Sequence, residues 1–293
     1  SKQENTSLRI DYIVNENHRL TYNYKLTEGD RLRASGSNSS FYFESASYFK
    51  GEETDTSSIL LVSDWADNLI SEIYWSNKST DTSQESPAGQ DVPNFYIDDA
   101  YGMRVYLGAD IYRSANKLAT ETDFFKGKLT YYTGDHKITA GYEQTTYDIY
   151  NVFIVAQDGS WEFDTLADYE AGVASSFFAN NAKTGTVEDA AAAFEYGLTS
   201  FYLMDEYAYS DRLSLTAGIR YDEYDSDDDP AKNAAFESTY GFANAGIAGT
   251  DLLNIRLGMD LVIDEVSDIN VTYGTYSAKL PAVWISNAYT NDG

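Results

Sequence analysis

The chain has 293 residues, of which 43% are hydrophobic and 15% aromatic, a composition that favours a folded protein over a disordered one. Its formal net charge is −27, from 47 acidic and 20 basic residues, so its field repels nucleic acid and we expect no nucleic-acid partner. Cysteine is absent, which excludes disulfides and thiolate chemistry, and no apolar run approaches the ~18 residues that a membrane-spanning helix needs.

Apolar and polar residues alternate with period two from the beginning of the chain, a pattern that predicts long β-strands. Residues 8–14 and 19–26 alternate on either side of a short polar turn, which predicts a first hairpin. A Ser-, Gly- and Asn-rich interval at 27–54 follows, and we expect it to be a long loop. The second hairpin is expected at 55–66 and 69–78.

The same pattern continues through the second half of the chain. A third hairpin is expected at 118–133 and 136–151, where Gly134 can supply the positive φ that a two-residue turn requires. The fourth is expected to turn at Ser210 and Asp211 and the fifth at 264–268. Long polar intervals separate these hairpins as they do the first two.

Short turns therefore alternate with long loops five times, an asymmetry typical of outer-membrane barrels. We predict an all-β fold, an antiparallel up-and-down meander of about ten long strands that is part of a large outer-membrane β-barrel. Residues 104–113 also alternate, but a wall strand there would move the Gly134 turn to the end of the long loops. We therefore expect a small surface hairpin in that loop.

Two faces are predicted for the fourth and fifth hairpins, because apolar and charged residues occupy alternate positions in 213–224 and 255–261. An arginine facing lipid near the midplane would cost ~2–4 kcal/mol, whereas a water-filled lumen accepts it. The expected lipid-facing residues are Leu213, Leu215, Ala217, Ile219, Leu257 and Met259. The expected lumen-facing charges are Arg220, Asp222, Arg256 and Asp260. A register that sets Asp222 opposite Arg256 would pair opposite charges across the strands.

Segments of the second half resemble a known family. They read FYLMDEYAYSDRLSLTAGIRYDEY at 201–224, NIRLGMDL at 254–261 and KLPAVWISNAYTNDG at 279–293. From about residue 136 onward the chain resembles the barrel wall of TonB-dependent outer-membrane receptors, most closely their Oar-like branch. Ile255 departs from that group, which commonly has Pro before the Arg-x-Gly.

The resemblance implies an architecture and a function. Such receptors combine a plug domain and a TonB-contacting segment with a closed barrel of about 22 strands. Residues 1–293 would then be a partial β-barrel domain of the Gram-negative outer membrane, with no plug domain and no closing C-terminal strand. The implied function is to bind or import an external substrate. The implied partners are outer-membrane lipid, an unknown external ligand and, through the missing N-terminal region, the TonB complex.

Two alternatives remain open at this point. A passive porin or an adhesin would share the barrel wall, and a secreted carbohydrate-binding β-sandwich would share the alternating strands. Sandwich strands are usually ~5–6 residues long, which is shorter than the strands expected here.

An enzyme is not expected, because the chain has no G-x-S-x-G, H-E-x-x-H, P-loop or dinucleotide-binding motif. We expect no cofactor and no metal. The acidic run at 225–229 departs from an EF-hand loop, since Pro230 stands where Gly is required, and a solvated loop is favoured over a cation site. Trp161, Phe163 and Trp284 are the expected contacts with an external ligand.

Overall fold

The computed structural model describes residues 2–34, 36–89, 91–100, 102–244, 246–279 and 281–290. Part of the segment at 279–293 that resembles the receptor family, Leu280 and 291–293, lies outside the described residues.

Strands dominate the structure. In chain order they are β1 (Lys2–Asn15), β2 (His18–Arg33), β3 (Ser40–Tyr42), β4 (Tyr48–Ala66), β5 (Leu69–Glu85), β6 (Asn94–Ala100), β7 (Met103–Gly108), β8 (Ala115–Thr133), β9 (His136–Ile154), β10 (Ser160–Thr165), β11 (Ser176–Phe178), β12 (Ala192–Ser210), β13 (Leu213–Asp225), β14 (Asp251–Asp264) and β15 (Ser267–Gly274). Three short helices accompany them: α1 (Leu166–Ala171), α2 (Ala234–Tyr240) and α3 (Ala282–Thr290). No helix in the described part of the chain is long and apolar enough to cross a membrane.

Ten of the strands form one antiparallel sheet, which we call the wall, in the order β1-β2-β4-β5-β8-β9-β12-β13-β14-β15. Each strand pairs with its neighbours in the chain order of the wall, and short turns join the strands of each hairpin. The predicted ten-stranded meander is confirmed. The fourth turn lies at 211–212, one residue later than predicted, because the β12–β13 register shifts between Ala208 and Ser210.

Several wall strands are longer than predicted. The expected loop at 27–54 contains the end of β2 and the beginning of β4, where Glu53 pairs with Glu28 on one side and Asp81 on the other. Backbone hydrogen bonds extend the ladder through these residues although few of them are apolar. In β2 and β4, hydrophobic alternation therefore marks the middle of the strand and misses its polar end.

One face of the wall is apolar and exposed, and we call it the apolar face. Its large side chains come from strands across the sheet and are fixed on one side by the pairing register. They include Ile10, Ile59, Ile73, Phe125, Leu129, Phe201, Leu203, Ile219, Leu257 and Val271, all exposed. Water-soluble monomers rarely expose a continuous apolar surface of this extent, so this face is suited to an apolar medium.

A second sheet of five strands, in the order β11-β10-β6-β7-β3, is built from three of the long connections. We call it the loop sheet. Residues 104–113 lie outside the wall as predicted, but they do not form a hairpin by themselves: 104–108 belong to β7, which pairs with β6. Ile97 and Phe163 form the centre of a core that the loop sheet shares with α1. This core is separate from the wall, so the two sheets are not the layers of a β-sandwich.

The chain leaves the wall after β15 and returns across the face opposite the apolar one, which we call the polar face. There α3 packs on β12 and β9, with Ile285 in a core that includes Phe194 and Tyr196. The ring of Tyr289 stacks on Phe194 with centroids 4.2 Å apart. The side chain of Asn151 donates to Ser286 Oγ at 2.9 Å. The strand pattern of the sequence did not predict this helix.

Gly141 provides a test of wall packing, because the ring of Tyr202 lies directly over it. A Cβ at position 141 would lie 2.0 Å from Cζ of Tyr202. We expect Gly141→Ala to lower the free energy of unfolding of the full-length protein by about 1–3 kcal/mol, the usual range for overpacking. Urea unfolding in detergent micelles, followed by tryptophan fluorescence, measures it.

Gly127→Ala is the matched control in the neighbouring strand β8. A Cβ there would meet only Phe125, at 3.9 Å, so we expect little change in the unfolding midpoint. Equal losses in the two variants would contradict the close packing of Tyr202 on Gly141.

Candidate functional site

A charged cluster centred on Arg220 lies on the polar face of β9, β12 and β13. The guanidinium donates from Nε to Asp222 Oδ1 at 2.8 Å and from Nη1 to Glu143 Oε2 at 2.9 Å. Its Nη2 donates to Ser200 Oγ at 2.8 Å. One arginine on β13 therefore binds two carboxylates and a hydroxyl from three adjacent strands.

Asp222 is the most enclosed carboxylate of this cluster, with only 5% of its surface exposed. Besides Arg220, Ser200 Oγ donates to it at 2.6 Å, and Asn254 Nδ2 lies 3.4 Å from its second oxygen. A buried charge is tolerated when it is paired and hydrogen-bonded, as it is here. The cluster is thus a preorganised polar centre in the middle of the sheet.

The predicted pairing of Asp222 with Arg256 is wrong. Asp222 lies opposite Leu252, and Arg256 lies opposite Gly218, a register four residues away from the predicted one. The observed register aligns apolar residues on the other face, such as Leu215 with Met259 and Ala217 with Leu257. Because four is an even number, the shift changes the partners and leaves each side chain on its face.

The structure divides the predicted site residues between the two faces. Leu213, Leu215, Ala217, Ile219, Leu257 and Met259 share the apolar face, and Arg220, Asp222, Arg256 and Asp260 share the polar face. The four charges do not meet in one cluster. Arg256 lies over the ring of Tyr276, 4.8 Å from its centroid, and Asp260 accepts from Asn270.

A second ionic cluster on the polar face was missed in the sequence. Glu72 lies 2.5 Å from Lys128 Nζ and 3.9 Å from Lys126 Nζ. These lysines alternate with Phe125 and Leu129, which belong to the apolar face. The same period-two pattern therefore could have predicted their position.

One face of the loop sheet carries stacked tyrosines and charged groups. Tyr42 and Tyr106 stack with centroids 4.2 Å apart, and the Arg104 guanidinium lies 4.7 Å from the centre of the Tyr96 ring. Tyr96 Oη donates to Glu162 Oε2 at 2.9 Å. Burial, with this hydrogen bond, raises the pKa of Tyr96 to about 12. Tyr96 therefore remains a protonated donor at neutral pH.

Glu162 is held in its ionised form. Ser176 Oγ donates to its Oε2 at 2.7 Å, and this hydrogen bond is the largest cause that lowers the pKa of the Glu162 carboxyl. Arg104 also forms an ion pair with Asp98 on the same face. The result is an ordered surface of aromatic rings and fixed charges at the end of the wall where the long connections lie.

The three aromatic residues expected to contact an external ligand lie in different surroundings. Phe163 is only 6% exposed inside the core of the loop sheet, so its prediction as a ligand contact is wrong. Trp161 is 37% exposed and packs against Phe177, with ring centroids 4.3 Å apart. Trp284 is exposed, on α3 at the polar face of the wall.

The acidic run at 225–229 has a structural role. Asp228 Oδ2 accepts the backbone N–H of Glu195 at 2.7 Å, and the Tyr289 hydroxyl donates to the Asp228 carbonyl at 2.7 Å. The run thereby ties the loop to β12 and α3. Within the residues that the structure describes, no group of three or more His, Cys, Asp or Glu side chains is placed to hold a metal ion.

Replacement of Arg220 tests the charged cluster. Arg220→Ala leaves Asp222 enclosed without its cation, so we expect a loss of about 3 kcal/mol in the free energy of unfolding. Arg220→Lys should recover part of this loss, because lysine restores the charge without the three-way fork. Urea unfolding of the full-length protein in micelles gives both values.

Arg9→Ala serves as the comparison for that experiment. Arg9 also binds an aspartate two residues away, Asp11, but on an exposed part of β1. Exposed ion pairs contribute little, and we expect no measurable change. Similar behaviour of the two alanine variants would show that the Arg220 cluster is not a buried network.

Comparison with known proteins gives a family and a fold. The family described as "Outer membrane beta barrel domain" matches residues 1–252. No curated protein matches the chain. Among solved structures, it is similar to the outer membrane transporter YddB from Escherichia coli, with a TM-score of 0.60 and 12% identity over 93% of this chain and 31% of that one.

Two receptors are also similar in structure. The ferric-catecholate import receptor Fiu from E. coli K12, in its closed form, gives a TM-score of 0.58 and 16% identity over 93% of this chain and 43% of Fiu. The siderophore receptor PiuA from Acinetobacter baumannii gives 0.50 and 15% over 93% of this chain and 41% of PiuA. The chain thus spans less than half of each of the three proteins, and at these identities the likeness shows the fold alone. The ten-stranded wall and the match over residues 1–252 together show that the chain belongs to the outer membrane β-barrel domain family, whose place is the Gram-negative outer membrane.

Proposed function

We propose that this chain is part of the barrel wall of a TonB-dependent outer-membrane receptor, of the Oar-like branch, that binds or imports an external substrate without catalysing a reaction. The observation that carries the proposal is the division of the wall into an exposed apolar face and a face with paired, enclosed charges. Such a sheet separates lipid from an aqueous interior.

On this proposal, the apolar face of the wall contacts lipid and the polar face lines the lumen. Leu213, Leu215, Ala217, Ile219, Leu257 and Met259 contact lipid, and Arg220, Asp222, Arg256 and Asp260 face the lumen. Charges on the lipid side of a transmembrane strand are costly, whereas in the lumen they can pair, as Arg220 does with Asp222 and Glu143.

The loop sheet favours a receptor over a passive porin. Strands from three separate loops hold Trp161 and the Arg104 side chain in fixed positions at the end of the wall that we assign to the cell exterior. Preorganised side chains on a rigid element suit ligand recognition, and an open channel does not need them. We propose Trp161 as a contact for the arriving substrate and Trp284, on the polar face, as a contact inside the barrel.

An arginine scan of adjacent residues tests the assignment of the faces. Ala217 and Thr216 are neighbours near the middle of β13 on opposite sides of the sheet. We expect Ala217→Arg to make folding into phospholipid bilayers less favourable by about 2–4 kcal/mol. Thr216→Arg should have a clearly smaller destabilising effect. A larger loss for Thr216→Arg would reverse the assignment of lipid and lumen.

TonB dependence is tested by growth. The gene for the full-length protein is deleted in strains with and without functional TonB, and growth is compared on limiting ferric catecholate, ferric hydroxamate, copper, maltodextrin and peptide. We expect deletion to reduce growth on at least one nutrient only where TonB is functional. A reduction of equal size in both backgrounds would contradict energy-coupled import.

Conductance measurements distinguish a plugged receptor from an open porin. The purified full-length protein in planar lipid bilayers should pass little current, because a plugged barrel conducts few ions. Large, steady single-channel currents would identify an open porin instead.

A further inference from the structure

A cavity of about 290 Å³ lies on the polar face, where residues 276–279 cross β13 and β14. Its charged and polar lining consists of Arg220, Asp222, Asn254, Arg256, Ser277 and Lys279, together with the ring of Tyr276. This volume is close to the lower limit of ~300 Å³ for small-molecule sites.

Two of the cations around this cavity have no carboxylate partner in the described part of the chain. The Arg256 guanidinium lies over the Tyr276 ring, and Lys279 Nζ lies 4.9 Å from the centre of the Tyr147 ring and donates to the Tyr147 hydroxyl. With 47 acidic residues against 20 basic ones, most cations could find an acid. These two are instead positioned by aromatic rings, Arg256 by Tyr276 of the cavity lining and Lys279 by Tyr147 outside that lining.

The local charge balance indicates what would complete the site. Arg220 is bound by Asp222 and Glu143, which together exceed it by one negative charge. Arg256 and Lys279 add two positive charges, so three cations are set against two carboxylates, of which Glu143 lies outside the cavity lining, and one positive charge is left. A single negative charge neutralises the group.

We propose that this cavity binds the carboxylate of a small organic ligand, with Arg256 and Lys279 as its direct partners. A guanidinium presents parallel N–H groups that match the two oxygens of a carboxylate, and an ammonium adds a point charge beside them. The Tyr276 ring offers an apolar surface for the rest of the ligand. The ligand would be the acid-bearing part of an imported substrate, so this inference rests on the proposed function.

Binding of benzoate to the purified full-length protein in neutral detergent, measured by isothermal titration calorimetry at low ionic strength, tests the proposal. We expect Arg256→Gln and Lys279→Gln each to weaken benzoate binding at least tenfold. Benzamide, which has the same shape without the charge, should bind at least tenfold more weakly than benzoate to the wild type. Phenyl phosphate should bind no better than benzoate, since its second charge exceeds the local balance.

Lys128→Gln is the matched control, since Lys128 is a cation of the same face that is paired with Glu72. It should leave benzoate binding within twofold of wild type, and urea unfolding should show that all three variants are folded. Absence of benzoate binding, unchanged affinity in Arg256→Gln and Lys279→Gln, or equal binding of benzamide would each overturn the proposal. Because this experiment does not depend on TonB, its failure together with TonB-dependent growth would remove the carboxylate site and leave the proposed function standing.

Discussion

Unbroken antiparallel pairing through the middle of ten strands is the constraint on which both faces of the wall depend. Register shifts do occur, but those between wall strands adjoin short turns, at Ile13–Asn15, Asp64–Ala66, Ala208–Ser210 and Val262–Asp264. Between the turns and the long loops, side chains therefore alternate between the two faces without interruption in every wall strand from β1 to β15. One shift in mid-strand would place arginines among leucines on one face.

On the polar face, the regular strand pairing brings together side chains that are distant in sequence. Arg220 meets Glu143 and Ser200 because three adjacent strands bring alternate residues to the same height. The returning segment after β15 then covers part of this face. The enclosed charge therefore results from three paired strands, and the partly covered cavity results from the segment that crosses them.

Alternation in the sequence was sufficient to predict the two faces of β13 and β14, since the face of a residue depends only on its parity within a strand. The register between those strands was not predictable from charge, because apolar pairs such as Leu215 with Met259 align the strands. Phe163 shows the limit for the loops: its burial depends on β6 and β7, which are distant in sequence, as well as on α1, which follows it directly. Local patterns do not report such partners, and the same holds for Ile285 against Phe194.

The loop sheet has a consequence for how such proteins diversify. Its core residues Ile97, Phe163 and Leu166 come from two different loops, and β3 comes from a third, so no single loop buries its apolar side chains alone. Substitutions in one loop are therefore felt by the others through shared packing. Recombination between homologous genes that exchanged one of these loops would expose apolar surface, whereas exchange of all three would transfer a complete folding unit. The loop sheet is thus expected to evolve as a block, with compensating changes spread over more than a hundred residues of intervening sequence.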